Sequence, residues 1–260
     1  MQKFNSAGVE IAFSDEGSGQ PILLIHGFAS NTRVNWQSTG WIKTLLQAGY
    51  RVISIDNRGH GESEKLYHSE KYAASIMADD AARLLSHLAI AKAAVMGYSM
   101  GARIAAFLAL QHPELVSRVI FAGLAERMVL GVGGSEEIYA GLVAPSWRDV
   151  TDPTGRAFRL FAESTKSDLD ALAACIRSSR VKIKPEALAS IRCPVLVVAG
   201  ELDDIAGPVQ PLVDMIPNAR GVVLPERNHM NAVGDSGYKK AVLAFLAEDQ
   251  AALPKSLEMC

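Results

Sequence analysis

The sequence predicts a doubly wound, mostly parallel α/β sheet carrying a small helical insertion. Three observations predict it. Short continuous apolar runs alternate along the chain with longer stretches of helical spacing, and continuous runs mark strands covered on both faces. A serine flanked by glycines sits where one such run gives way to a helix. The interval 124–188 holds helical pieces but no strand-like run, and it is too long for a loop.

The elements follow in order. Residues 8–14 read as a strand running into the turn Glu16-Gly17-Ser18-Gly19, and Pro21–Ile25 as a buried strand. Residues 41–48 read as a helix stopped by Gly49, and 50–55 as the next strand. Over 72–88, Ile76, Ala81, Leu84, Leu85 and Leu88 share one helical face. The run Ala93-Ala94-Val95-Met96 leads through Gly97-Tyr98-Ser99-Met100-Gly101 into a helix over 102–111, which ends near His112-Pro113. Residues 116–122, 194–199 and 221–224 read as strands, and 238–248 as the closing helix. Repeated strand-then-helix units fold as right-handed crossovers on a parallel sheet. The core is therefore expected over 1–123 and 189–260. The interval 124–188 is expected to form a cap over the C-terminal edge of the sheet.

Composition excludes several classes. Of 260 residues, 49% are hydrophobic and 21% charged, with a net charge of −2, a globular balance without the basic surface that nucleic acid or an anionic membrane requires. No run approaches the 18 apolar residues of a membrane span, and the first residues lack the apolar segment of a signal peptide. A cytoplasmic location is expected. Cys175, Cys193 and Cys260 are odd in number and widely spaced, so they imply no disulfide framework, and no Cys/His cluster has zinc-ligand spacing. Cys193, before an apolar strand, is expected to be a buried small hydrophobe. Neither metal nor organic cofactor is expected. A monomer and a homodimer fit the sequence equally.

Chemistry concentrates around Ser99. At average composition, a G-x-S-x-G pentapeptide arises by chance in roughly one chain in ten of this length, so the flanking strand and helix carry the assignment. The corner is so tight that side chains two before and two after the serine would clash. A serine nucleophile needs a base, an orienting acid and donors for an oxyanion, and in an open α/β sheet these belong at the C-terminal ends of strands. His229, between the last strand and the last helix, is the candidate base. His87, His112 and His68 lie in a helix, at a helix end and in a polar loop, and compete poorly. After the strand 194–199 come Asp203 and Asp204, of which one can orient His229; Asp203 is favoured, and Glu126 is a distant third. The backbone N–H groups of Phe28 and Met100 are the candidate oxyanion donors, while His26 is read as structural.

Taken together, these motifs resemble the α/β-hydrolase superfamily. The matching pieces are His26-Gly27-Phe28, the segment from Asp56-Asn57-Arg58-Gly59 through His60-Gly61-Glu62-Ser63, Gly97-Tyr98-Ser99-Met100-Gly101, Gly200 with Asp203, and Asn228-His229. They stand in the family's order of nucleophile, acid and histidine. The resemblance implies that the Asp56 segment shapes the loop near the site without chemistry of its own. Many relatives carry a proline four residues after the acid. Here Gly207 follows Asp203 by four and Pro208 follows Asp204 by four, which keeps Asp204 open.

The fold does not fix the substrate. A serine at the corner argues against the dehalogenases and epoxide hydrolases of this superfamily, which use aspartate there. The expected reaction is hydrolysis of a small to medium carboxylic ester, thioester or lactone through an acyl-enzyme on Ser99. Phe28, Trp36, Met100, Met128, Leu130, Trp147 and Phe161 are expected to line an apolar pocket for the acyl group. Three alternatives remain open. A C–C bond hydrolase of ring-cleavage products would place basic residues for a carboxylate, with Arg103 a candidate that could equally face solvent. A cofactor-free perhydrolase resembles this chain but often has proline where Ala29 stands. A slow-turnover binding or signalling protein could keep the same three residues.

Overall fold

In a computed structural model the structure describes residues 1–248. Eight strands form one sheet in the order β1-β2-β4-β3-β5-β6-β7-β8: Gln2–Ser6, Val9–Glu16, Pro21–Ile25, Arg51–Ile55, Ala93–Tyr98, Val116–Ala122, Val195–Gly200 and Ala219–Leu224 are β1 to β8 in chain order. Strands β3 to β8 run parallel; β2 pairs antiparallel with β1 and with β4. The helices in chain order are α1 (Trp41–Gln47), α2 (Ala74–His87), α3 (Met100–Gln111), α4 (Arg127–Leu130), α5 (Ser135–Val143), α6 (Pro153–Ser164), α7 (Leu169–Ile176), α8 (Pro185–Leu188), α9 (Val209–Asp214) and α10 (Ser236–Ala247).

The continuous apolar runs do what their pattern requires. Every residue of β5 and of β7 is buried. On one face Leu23, Ile25, Val95 and Val197 pack under α2 and α3; on the other Leu24, Met96 and Val198 meet Trp41 of α1 and Phe245 of α10. Among the described residues, the interval between β6 and β7 contains α4 to α8 and no strand.

One strand was not expected. Strand β1 is short, lies at the sheet edge and buries only Phe4 and Ser6, so it lacks the apolar run that betrays the inner strands. Cys193 is half-buried rather than buried, whereas Cys175 is fully buried. Cys260 lies outside the described residues.

The chain passes from β3 outward to β4 and returns to β5 on the other side of β3. Such a reversal opens a crevice at the carboxyl ends of the strands. Ile25 is level with Gly97 across β3 and β5, and Gly200 with Leu224 across β7 and β8, so the loops after β3 and β5 emerge side by side, as do those after β7 and β8, with β6 between the pairs.

Candidate active site

Ser99 stands between β5 and α3 with φ 55° and ψ −112°, a left-handed backbone that costs a non-glycine residue about 1–3 kcal/mol. The structure shows what holds it there. Its N–H donates to the Ala122 carbonyl at 2.7 Å, and its own carbonyl accepts from Ala102 and Arg103 at 3.0 and 3.3 Å. A Cβ on Gly97 would run into the Gly101 backbone, and one on Gly101 into the backbone of Ile25 and His26. Glycine is required at both places by close approach.

His229 reaches Ser99 from the loop after β8. Its Nε2 is 3.0 Å from Ser99 Oγ, and its Nδ1 is 2.9 and 3.0 Å from the two carboxylate oxygens of Asp203. The Asp203 side chain is completely buried and that of His229 nearly so. Asp203 Oδ1 also accepts from the N–H groups of Ile205 and Ala206, at 3.1 and 2.9 Å, which fixes the carboxylate before the imidazole meets it. Asp204 is exposed. Asn228 turns the His229 loop: its Oδ1 accepts from Met230 and Asn231, while Tyr98 Oη donates to the His229 carbonyl at 2.6 Å.

Opposite lies the loop after β3. The Gly27 N–H donates to Asn35 Oδ1 at 3.0 Å. His26 Nδ1–H donates to the Gly27 carbonyl at 2.7 Å, and its Nε2 accepts from the Asn57 N–H at 3.0 Å. Asp56 accepts from the N–H groups of Thr32 and Glu62. The segment 56–63 therefore braces this loop. Ala29, at φ 57°, presents its carbonyl to Thr165 Oγ1 at the end of α6, 3.0 Å away.

His26 and His60 are fully buried with ring centroids 5.2 Å apart. Burial pushes His26 down to about 4, against its bond to Gly27; burial and then repulsion from His26 push His60 down to about 3. Both rings are neutral in the folded protein at neutral pH, whereas unfolded histidine titrates near 6.5. Between pH 6.5 and 4 the unfolded chain binds more protons, so stability is full above 6.5 and is lost as pH falls. Each ring contributes up to about 1.4 kcal/mol per pH unit. The urea midpoint is expected to drop steeply over this window. His60→Asn, whose amide can still donate to the Arg58 carbonyl that His60 Nδ1 now serves, is expected to flatten that slope by about one proton; an unchanged slope would remove His60 from the account.

Phe28 and Met100 border a cavity of about 170 Å³ together with Ser99 and His229, and among the described residues no protein acceptor takes either backbone N–H. Phe158 and Phe161 of α6 line it as well. Four expected pocket residues do not. Trp36 is fully buried on the opposite face of the sheet, edge-on to Trp41 with centroids 6.4 Å apart; the π-helical turn Arg33–Gln37 turns it inward and leaves Val34 and Asn35 at the cavity. Met128 is fully buried in the core. Trp147 is half-buried and lies against Arg148. Leu130 is exposed. Arg103 does not face solvent: it is 2% exposed and lines the cavity.

Asn35, Tyr98, Phe158 and Arg180 border the cavity without having been singled out. Phe158 stands three residues before Phe161, a helical spacing that signals a shared face. Tyr98 adjoins the serine in sequence. Arg180 follows two serines in an irregular stretch, and no pattern marks it.

A family model described as alpha/beta hydrolase fold matches residues 20–152. BpoC of Mycobacterium tuberculosis, classed by name among the non-heme bromoperoxidases, is 29% identical over 248 residues, covering 85% of this chain and 91% of that protein. A meta-cleavage product hydrolase from Pseudomonas fluorescens superposes with a TM-score of 0.77 at 23% identity, over 96% of this chain and 98% of that one. A thermophilic esterase from Thermogutta terrifontis gives a TM-score of 0.72 at 24% identity, over 95% and 99%. The last two likenesses establish shared architecture. Among the described residues no helix is long and apolar enough to cross a membrane.

Proposed function

The chain belongs to the alpha/beta hydrolase fold family, and on that premise we propose that it is a serine hydrolase cleaving small to medium carboxylic esters through an acyl-enzyme on Ser99. The observation that carries this reading is the hydrogen-bond chain Ser99 Oγ–His229 Nε2 and His229 Nδ1–Asp203, at 2.9 to 3.0 Å throughout. Ser99 Oγ attacks the ester carbonyl while His229 Nε2 takes its proton. Asp203 holds the imidazole with Nδ1–H toward itself and stabilises the imidazolium that forms. The tetrahedral oxyanion sits on the N–H groups of Phe28 and Met100. His229 then gives its proton to the departing alcohol. A water, deprotonated by the same nitrogen, attacks the acyl-enzyme and releases the carboxylic acid. Thioesters and lactones obey the same scheme. The helices of 124–188 act as the cap, with Phe158 and Phe161 of α6 against the acyl group.

Likeness to bromoperoxidases favours a second reading, in which hydrogen peroxide replaces water in the second step. The loop after β3 weighs against it. The proline that such relatives often carry there could not take the φ of 57° found at Ala29, since the ring holds φ near −65°.

The test is release of p-nitrophenol from esters of acetate through decanoate. Turnover is expected with an optimum at short to medium acyl length, because the cavity is small. No release from any member, with Ser99 still labelled by a fluorophosphonate, would overturn ester hydrolysis.

A further inference from the structure

The Ser99 cavity has an electrostatic character that ester cleavage alone does not need. Among the described residues, the arginine and lysine side chains in its wall are Arg103 and Arg180, and no carboxylate lines it. Among the described residues, every hydrogen bond these two make runs to a neutral group. Arg103 Nη1 donates to the carbonyls of Met128 and Val181 at 3.1 and 2.6 Å. Arg180 Nη1 donates to the Gly133 carbonyl at 2.6 Å and to Ser135 Oγ at 3.4 Å. Arg103 Nη2 is buried and has no partner among the described residues. Burial holds both guanidinium groups down at about 10, and Arg180 repels Arg103; both are cations at neutral pH.

Two other buried arginines of this chain have an acid. Arg58 is paired with Asp80 and Arg159 with Glu163, each at 2.7 Å. A buried guanidinium without a counter-charge is costly, and so is a buried donor without an acceptor. Arg103 is of this kind, Arg180 stands half-buried at the same wall and repels it, and an anion between the two stabilises both. A guanidinium fork matches the two oxygens of a carboxylate. Position fits as well. Arg103 is four residues after Ser99 on α3, a rise of about 6 Å, and helical side chains lean toward the N-terminus, here toward Ser99.

We propose that Arg103 and Arg180 form a carboxylate subsite, so that the substrate of the Ser99 site carries a carboxylate a short distance from the bond that is cleaved. This rests on Ser99 being the nucleophile and deepens the substrate class: half esters of short dicarboxylic acids in place of plain fatty esters.

The experiment compares mono-p-nitrophenyl glutarate and adipate with p-nitrophenyl butyrate and hexanoate, corrected for spontaneous hydrolysis. In the native protein the charged member of each pair is expected to show at least tenfold higher kcat/KM. Arg180→Gln and Arg103→Gln are each expected to lower that charged-to-neutral ratio tenfold or more, and Arg180→Lys to restore part of it. Arg180 is half-exposed, so its variants serve even if Arg103→Gln fails to fold. In parallel, calorimetry reads adipate binding to the Ser99→Ala protein, which does not depend on the bond cleaved. Adipate binding that Arg180→Gln abolishes supports the subsite, even where neither ester series turns over and the ester reading falls. Turnover of neutral esters without charged preference and without adipate binding overturns the subsite and leaves the ester reading standing.

Discussion

Replacing Ser99 by alanine is expected to lower kcat on p-nitrophenyl esters by about 10⁵–10⁶-fold, since the nucleophile and its base act as one unit. The same logic makes the loss non-additive: His229→Ala in the Ser99→Ala background is expected to remove little more. The backbone allows this to be read as chemistry. Alanine at φ 55° suffers the same left-handed strain as serine, and Ala29 already occupies φ 57° in this chain. The substitution also leaves intact the Ser99 N–H bond to Ala122. Its melting temperature is therefore expected to stay within a few degrees of the native value. A Ser99→Ala protein that keeps a tenth of its activity while melting normally would exclude Ser99 as nucleophile.

The second large effect separates two neighbouring acids. Asp203→Asn is expected to cost about 10⁴-fold in kcat, because an amide at Nδ1 favours the wrong imidazole tautomer and cannot stabilise the imidazolium. Asp204→Asn is expected to change kcat by no more than about twofold, as for an ordinary exposed site. The contrast follows from the loop. Asp203 is held by the Ile205 and Ala206 N–H groups with His229 on its other side, while Asp204 is exposed. Equal losses from the two substitutions, measured as kcat with unchanged melting temperatures, would show that the loop rearranges and that either acid can serve.

What the sequence could tell and what it could not divide along a physical line. Strands buried on both faces announce themselves, because every residue must be apolar; β5 and β7 are of this kind. The glycines at 97 and 101 are legible for a similar reason, since a Cβ at either would meet backbone. Direction is harder. The sequence places Trp36 near the loop after β3 but does not say to which face a five-residue π-helical turn sends it. The Asp203–Asp204 choice was blurred by proline spacing. Gly207, four residues after Asp203, has φ 71°, which proline cannot adopt, so this loop takes a course that the familiar spacing does not describe. Long-range pairings leave the least trace. Arg103 meets Val181, and Tyr98 meets the His229 carbonyl, across 78 and 131 positions of sequence, and only the folded sheet brings them together.

The bond from Thr165 Oγ1 to the Ala29 carbonyl gives the molecule a mechanical interlock. Residue 29 follows Phe28, which borders the cavity, and Thr165 terminates α6, which supplies the phenylalanine wall. Any outward swing of α6 must either break this bond or carry residue 29 with it. The two sides of the cavity, the loop after β3 and the phenylalanine-bearing helix, are thereby tied to shift as one piece.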